Sequence, residues 1–114
     1  VLDGGPIRLL IAGRMHDLGP GSPPLGFPGD VAVEAELRGP ELLDFNVMTR
    51  RPLRATTRCA ELTEEAGEGA VARFALLLAD AGGFARLDLI DMQHAPAGVL
   101  AQLRGARILD TIIT

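Results

Sequence analysis

The chain has no tryptophan, no tyrosine and no lysine, and one cysteine among its 114 residues. Each absence excludes something. With four Phe as its only aromatics, a core must be aliphatic, built from Leu, Val, Ile and Ala. Without Lys there is neither Schiff-base chemistry nor a phosphate-loop lysine. All eleven basic residues are Arg, which reads as a GC-rich genome before it reads as function. A lone Cys59 allows no intrachain disulfide, as expected of a reducing cytoplasm. No apolar run approaches the roughly 20 residues of a bilayer-spanning helix. A formal charge of −4 argues against nonspecific nucleic-acid binding, which wants a basic face. The expected protein is cytoplasmic, with no membrane and no nucleic acid among its partners. The opening VLDGGPIRLL lacks the basic region and cleavage site of a signal peptide. It has no Met and begins within an apolar run, which predicts a piece of a longer protein.

What is present has a β rhythm. Asp3-Gly4-Gly5 predicts a hairpin turn between Val1-Leu2 and an apolar run at 7–12, because glycine accepts the positive φ of tight turns. Residues 13–16 read as a second turn. Residues 19–29 hold four Gly and four Pro, an irregular connection. VAVEAEL at 31–37 is strand code, with Val31, Val33, Ala35 and Leu37 facing a core and Glu34 and Glu36 facing water. LRATTRCAE at 53–61 suits extended structure. A helical turn at 62–66 is too short to count, and 67–69 reads as a turn. Residues 70–79 are read as a strand between hairpin turns at 67–69 and 81–83. Alternation returns at 84–92, and 99–103 is expected to pair with 106–113 across Arg104-Gly105. Turns every ten residues or so, with no long helical period, predict one all-β domain over 1–114, an antiparallel barrel or sandwich.

The densest polar set is LLDFNVMTRR at 42–51. As a strand it puts Leu43, Phe45 and Val47 on one side and Asp44, Asn46 and Met48 on the other. Asn46 is the chain's single Asn, and Arg50 and Arg51 follow at once, with Arg54 and Arg58 nearby. Strands usually have one solvated face, and that bland reading competes here. Met48 beside Asp44 and Asn46 argues for a lined interior instead. A buried Asp or Asn then needs an Arg partner, or the set grips a small polar ligand, with Arg taking a carboxylate in bidentate fashion. Other chemistries have less support. His16 and His94 lie far apart, where a metal site wants three or more ligands. Ser22 sits in no nucleophile elbow, and Cys59 reads as a small strand residue. The glycines form no phosphate-binding pattern.

The octapeptide DFNVMTRR at 44–51 resembles the signature of the HutD/Ves family, small bacterial proteins with a cupin-like β-barrel fold. LDGG at 2–5 resembles that family's turn before a short hairpin, and PLGFPGD at 24–30 resembles its proline-phenylalanine-glycine-aspartate loop. The likeness is good over 2–51 and looser beyond 54. It implies that the chain corresponds to about the C-terminal two-thirds of a member, with N-terminal barrel strands missing, so that exposed edges would favour self-association into a homo-oligomer. HutD members are linked to histidine utilisation as small-molecule sensors or regulators, and Ves members to stress or cold response. Metal-dependent cupins use a His-x-His set that this chain lacks, which implies no metal and no other cofactor. The expectation that follows is a non-enzymatic barrel binding a small anionic metabolite such as urocanate or a formylated glutamate through Asp44, Asn46, Met48, Arg50 and Arg51. The rivals are a metal-independent isomerase or hydrolase with Asp44 or Asp88 as general base, and a structural or partner-binding β module.

Overall fold

The computed structural model describes residues 1–65 and 69–114. Most of the expected turn at 67–69 and the end of the 62–66 turn fall on residues outside that set. Eight elements follow in order: β1 (Ile7–Ile11), β2 (Arg14–Leu18), β3 (Val33–Leu37), β4 (Ala55–Glu61), β5 (Ala72–Leu77), β6 (Leu89–Asp91), α1 (Ala97–Leu103) and β7 (Arg107–Ile113). The chain divides into two compact units, Val1–Met48 and Thr49–Thr114. Among the described residues no helix is long and apolar enough to cross a membrane. The antiparallel, all-β expectation agrees with these elements. Its barrel form does not: the strand orders β2-β1-β3 and β4-β7-β5-β6 leave each sheet with two edges.

In the first unit β1 pairs with β2 and β3 on either side. The tight connection into β2 is made at Ala12 and Gly13, both with positive φ, so the turn expected at 13–16 is mostly strand. Asp3-Gly4-Gly5 does not close a hairpin onto β1. Leu2 and Asp3 donate to the Leu43 carbonyl at 2.7 and 3.2 Å, and Leu43 donates back to Asp3 at 2.9 Å. Gly4 has φ +73, and a Cβ there would run into the Glu41 carbonyl, so the glycine is needed for close approach as well as for φ. In β3 the alternation is real but the burial is not: Val33 and Leu37 remain 40% and 52% exposed, because β3 is an edge strand. Alternation reports which residues share a face, not whether anything covers it.

The second unit carries the better packed core. Leu62, Ala75, Leu77, Ile90, Met92, Leu103 and Ile108 form one buried cluster, joined by half-buried Phe84, Val99 and Leu100. Residues 99–103 belong to α1, not to a strand paired with β7. Ala, Leu and Gln after Pro96 suit a short helix, and Leu103 buries its face of it. Gly105 at φ +80 then turns the chain into β7. Strands β4 and β5 are consecutive, yet β7 lies between them, so the hairpin expected around 67–69 is replaced by a non-local arrangement.

Side by side in this sheet lie two opposite charges. Arg73 on β5 is 3% exposed and Asp110 on β7 is 1% exposed. Arg73 donates through Nε and Nη2 to the two carboxylate oxygens of Asp110, at 2.8 and 3.2 Å. Its Nη1 donates to the carbonyls of Thr63 and Glu65. Arg58 on β4 reaches the same carboxylate at 3.4 Å from the solvent side. Among the described residues every buried side-chain polar atom has a partner. Removing one member of a buried pair strands the other charge, at a cost of about 3–5 kcal/mol, whereas an exposed partner contributes about 0–1 kcal/mol. Urea denaturation of Asp110→Ala should therefore show a loss near the first figure. Arg58→Ala should stay within the second. A loss below about 1 kcal/mol for Asp110→Ala would mean that Arg73 finds water in its place.

Candidate functional site

The five residues read as a site fall on both sides of the unit boundary. Asp44, Asn46 and Met48 end the first unit, while Arg50 and Arg51 begin the second. The stretch 42–51 is extended but is not a strand of either sheet. Only Leu43 makes a bridge, to Asp3, and residues 44–48 carry no ladder. The alternating sequence does produce alternating exposure: Phe45 and Val47 are half-buried, and Asp44, Asn46 and Met48 are exposed. Met48 is 90% exposed, so the side it shares with Asp44 and Asn46 is solvated and not the lined interior expected of it. The Asn46 amide donates to the Asp44 carboxylate at 3.2 Å. Asp44 thus takes its neighbouring amide, where an Arg was expected.

Arg50 and Arg51 sit in a tight turn at the head of the second unit. Leu53 donates its backbone N–H to the Arg50 carbonyl at 3.0 Å, across a cis Arg51–Pro52 peptide. The Thr49 hydroxyl donates to the Leu53 carbonyl at 3.0 Å. Both arginines are exposed, and the turn feeds into β4 through Arg54, whose backbone exchanges hydrogen bonds with Thr114.

The remaining candidates are structural in placement. Asp88 accepts from the Ala85 N–H at 2.9 Å and braces a turn. Exposed His94 meets Asp91, the last residue of β6, at 2.8 Å. That hydrogen bond, with a further one from the Gln93 N–H, holds the Asp91 carboxyl below the usual carboxylate range. Asp17 is lowered likewise by its bidentate hydrogen bonds with Arg8 across β1 and β2. His16 lies on β2 opposite Leu9, and no group of three or more His, Cys, Asp or Glu among the described residues could hold a metal. Cys59 is exposed on β4. Two shallow depressions mark the second unit, one of about 460 Å³ along 80–85 and one of about 350 Å³ beside Thr63, Glu64, Glu65 and Arg104. Neither includes an expected site residue.

A sequence model described as HutD matches residues 1–104. The chain belongs to the HutD family. The family likeness therefore extends well beyond 2–51, into the second unit as far as the end of α1. No curated protein and no solved structure matched the chain in the corresponding comparisons. Reading the sequence for function missed Arg73 and Asp110. The signal was a charge within each of two apolar runs, ARFALL and RILDTII, where an unpaired charge is untenable.

The lowered carboxyls fix a sign for pH dependence. A group whose pKa is depressed by folding contributes stability above its unfolded pKa, near 3.9 for Asp, and that contribution disappears as pH falls through its folded value. Asp17→Asn and Asp91→Asn should each flatten the decline of stability measured by thermal melts between about pH 5 and pH 3. An unaltered decline in both variants would show that other carboxylates govern acid unfolding.

Proposed function

We propose that this HutD-family chain is a non-catalytic binding or regulatory protein of histidine utilisation, working in the cytoplasm on a cupin-like β scaffold. Its ligand is a small anionic metabolite gripped at Arg50 and Arg51. One observation supports this reading above the others: the two arginines are presented outward by a braced turn, with the backbone of residues 50 and 53 hydrogen-bonded beneath them. The turn fixes the backbone from which both side chains extend, and guanidinium matches carboxylate geometry with two parallel hydrogen bonds. The carboxylate bases of the enzyme reading are engaged otherwise, Asp44 by Asn46 and Asp88 by a backbone N–H.

The test is a thermal-shift series on the protein with urocanate, a formylated glutamate and, as a zwitterionic comparison, histidine. A ligand at ten times its Kd adds about 1.4 kcal/mol, which moves the Tm of a domain this size by several degrees. Arg50→Ala should abolish the shift and leave the Tm of the free protein within a degree or two. No shift with either acid overturns the reading. Turnover of a stabilising acid overturns its non-catalytic half.

A further inference from the structure

The face of the sheet that carries Asp110 changes character along β4. At one end Ala60 and Leu62 join the aliphatic core. At the other, Arg54, Thr56 and Arg58 occur at every second residue, so all three side chains lie on that same face, and all three are exposed. The register puts Thr56 beside Ile112 and Arg58 beside Asp110. With a rise of about 3.3 Å per residue, the two arginine Cα atoms stand about 13 Å apart with the threonine midway. Their side chains can thus close over it.

The charges along this row do not cancel. Asp110 is already neutralised by Arg73, which takes both its oxygens from the buried side. Arg58 touches one of those oxygens at a longer 3.4 Å and keeps a side chain 66% exposed. Its positive charge is therefore surplus, and the contact orients the guanidinium without consuming it. Among the described residues Arg54 has no ion pair. A chain with a net charge of −4 here holds two uncompensated cations on either side of a hydroxyl, beside half-buried Ile112 and, two residues before Arg73, exposed Val71.

We propose that Arg54, Thr56 and Arg58 form an anion site, separate from the Arg50–Arg51 turn, whose ligand is a phosphomonoester dianion with a small apolar body. The phosphate oxygens accept from both guanidinium groups and from the Thr56 hydroxyl, and the organic part rests on Ile112 and Val71. A tetrahedral dianion suits the row better than one carboxylate: it carries about twice the charge at neutral pH and offers three acceptor oxygens to three donor groups.

Calorimetric titration of the protein with phenyl phosphate at pH 7.5 and low salt tests this, with benzoate as the monoanion of similar body. Phenyl phosphate should bind at least tenfold more tightly than benzoate. Arg54→Ala and Arg58→Ala should each weaken it at least tenfold, and Arg14→Ala, the same charge loss on β2, should not. Affinity should also fall at pH 5, where the phosphate becomes a monoanion (its second pKa is near 6). Among the described residues the Arg54 side chain makes no ion pair, so its variant reports on binding even if Arg58→Ala perturbs the fold. No binding of phenyl phosphate, equal binding of benzoate, or indifference to Arg54→Ala overturns the proposal, whatever the carboxylates do at Arg50 and Arg51.

Discussion

The buried pair of Arg73 and Asp110 is the constraint on which the second unit depends. Bringing two charges out of water costs several kcal/mol per ion, and only close, fully satisfied geometry offsets it. Here the geometry is complete: both carboxylate oxygens are bound by Arg73, and its third nitrogen is bound by two backbone carbonyls. The pair also specifies register. Moving β7 by one residue against β5 would send Asp110 to the opposite face and leave Arg73, which already faces Ile112, without its carboxylate. A hydrophobic pair at the same positions would tolerate such slippage far better. The sheet order β4-β7-β5-β6 brings together strands distant in sequence, and a pair that scores one register above its neighbours is what such an order needs.

That pair explains why so much of the strand pattern could be read locally while the topology could not. ARFALL and ATTRCAE are recognisable strands because β-branched and apolar residues suit the pleated backbone. Which strands lie side by side depends on contacts across 37 and 52 residues, as between Arg73 or Arg58 and Asp110, and no local pattern encodes those. The helix α1 is hidden in the sequence for a different reason. Its seven residues span two turns, too few for a 3.6-residue period to stand apart from an apolar strand. At 42–51 the alternation was correct as a statement about faces and wrong as a statement about a sheet. An extended segment needs a neighbour's backbone groups along its length to become a strand, and among the described residues this one makes a single bridge, from Leu43 to Asp3.

The same limits apply to the site. Sequence proximity suggested that Asp44 and Asn46 act with Arg50 and Arg51. The carboxylate instead satisfies the nearest amide, two residues away, because a local hydrogen bond orders fewer side-chain torsions than a pair with a long arginine. The stretch 44–51 therefore spans two physically different things. One is a short solvated polar pair at the end of one unit; the other is a braced basic turn at the start of the next.

The exclusive use of arginine takes on a physical meaning at one position. At exposed sites such as Arg14, Arg38 or Arg107 a lysine would serve as a solvated cation, and genome composition is a sufficient reason for its absence. Arg73 is different. It makes two parallel bonds to one carboxylate in one direction and bonds to two carbonyls in another, using Nε, Nη2 and Nη1 of a single plane. An ammonium group has three donors on one atom and cannot reach carboxylate and carbonyls placed on opposite edges of a guanidinium. Arg73→Lys would keep the charge and lose most of the fan of bonds, leaving at least one of the groups it now satisfies unpaired. The charge of this residue is replaceable in principle; its shape is not, and the shape is what leaves Arg58 free to turn its charge outward.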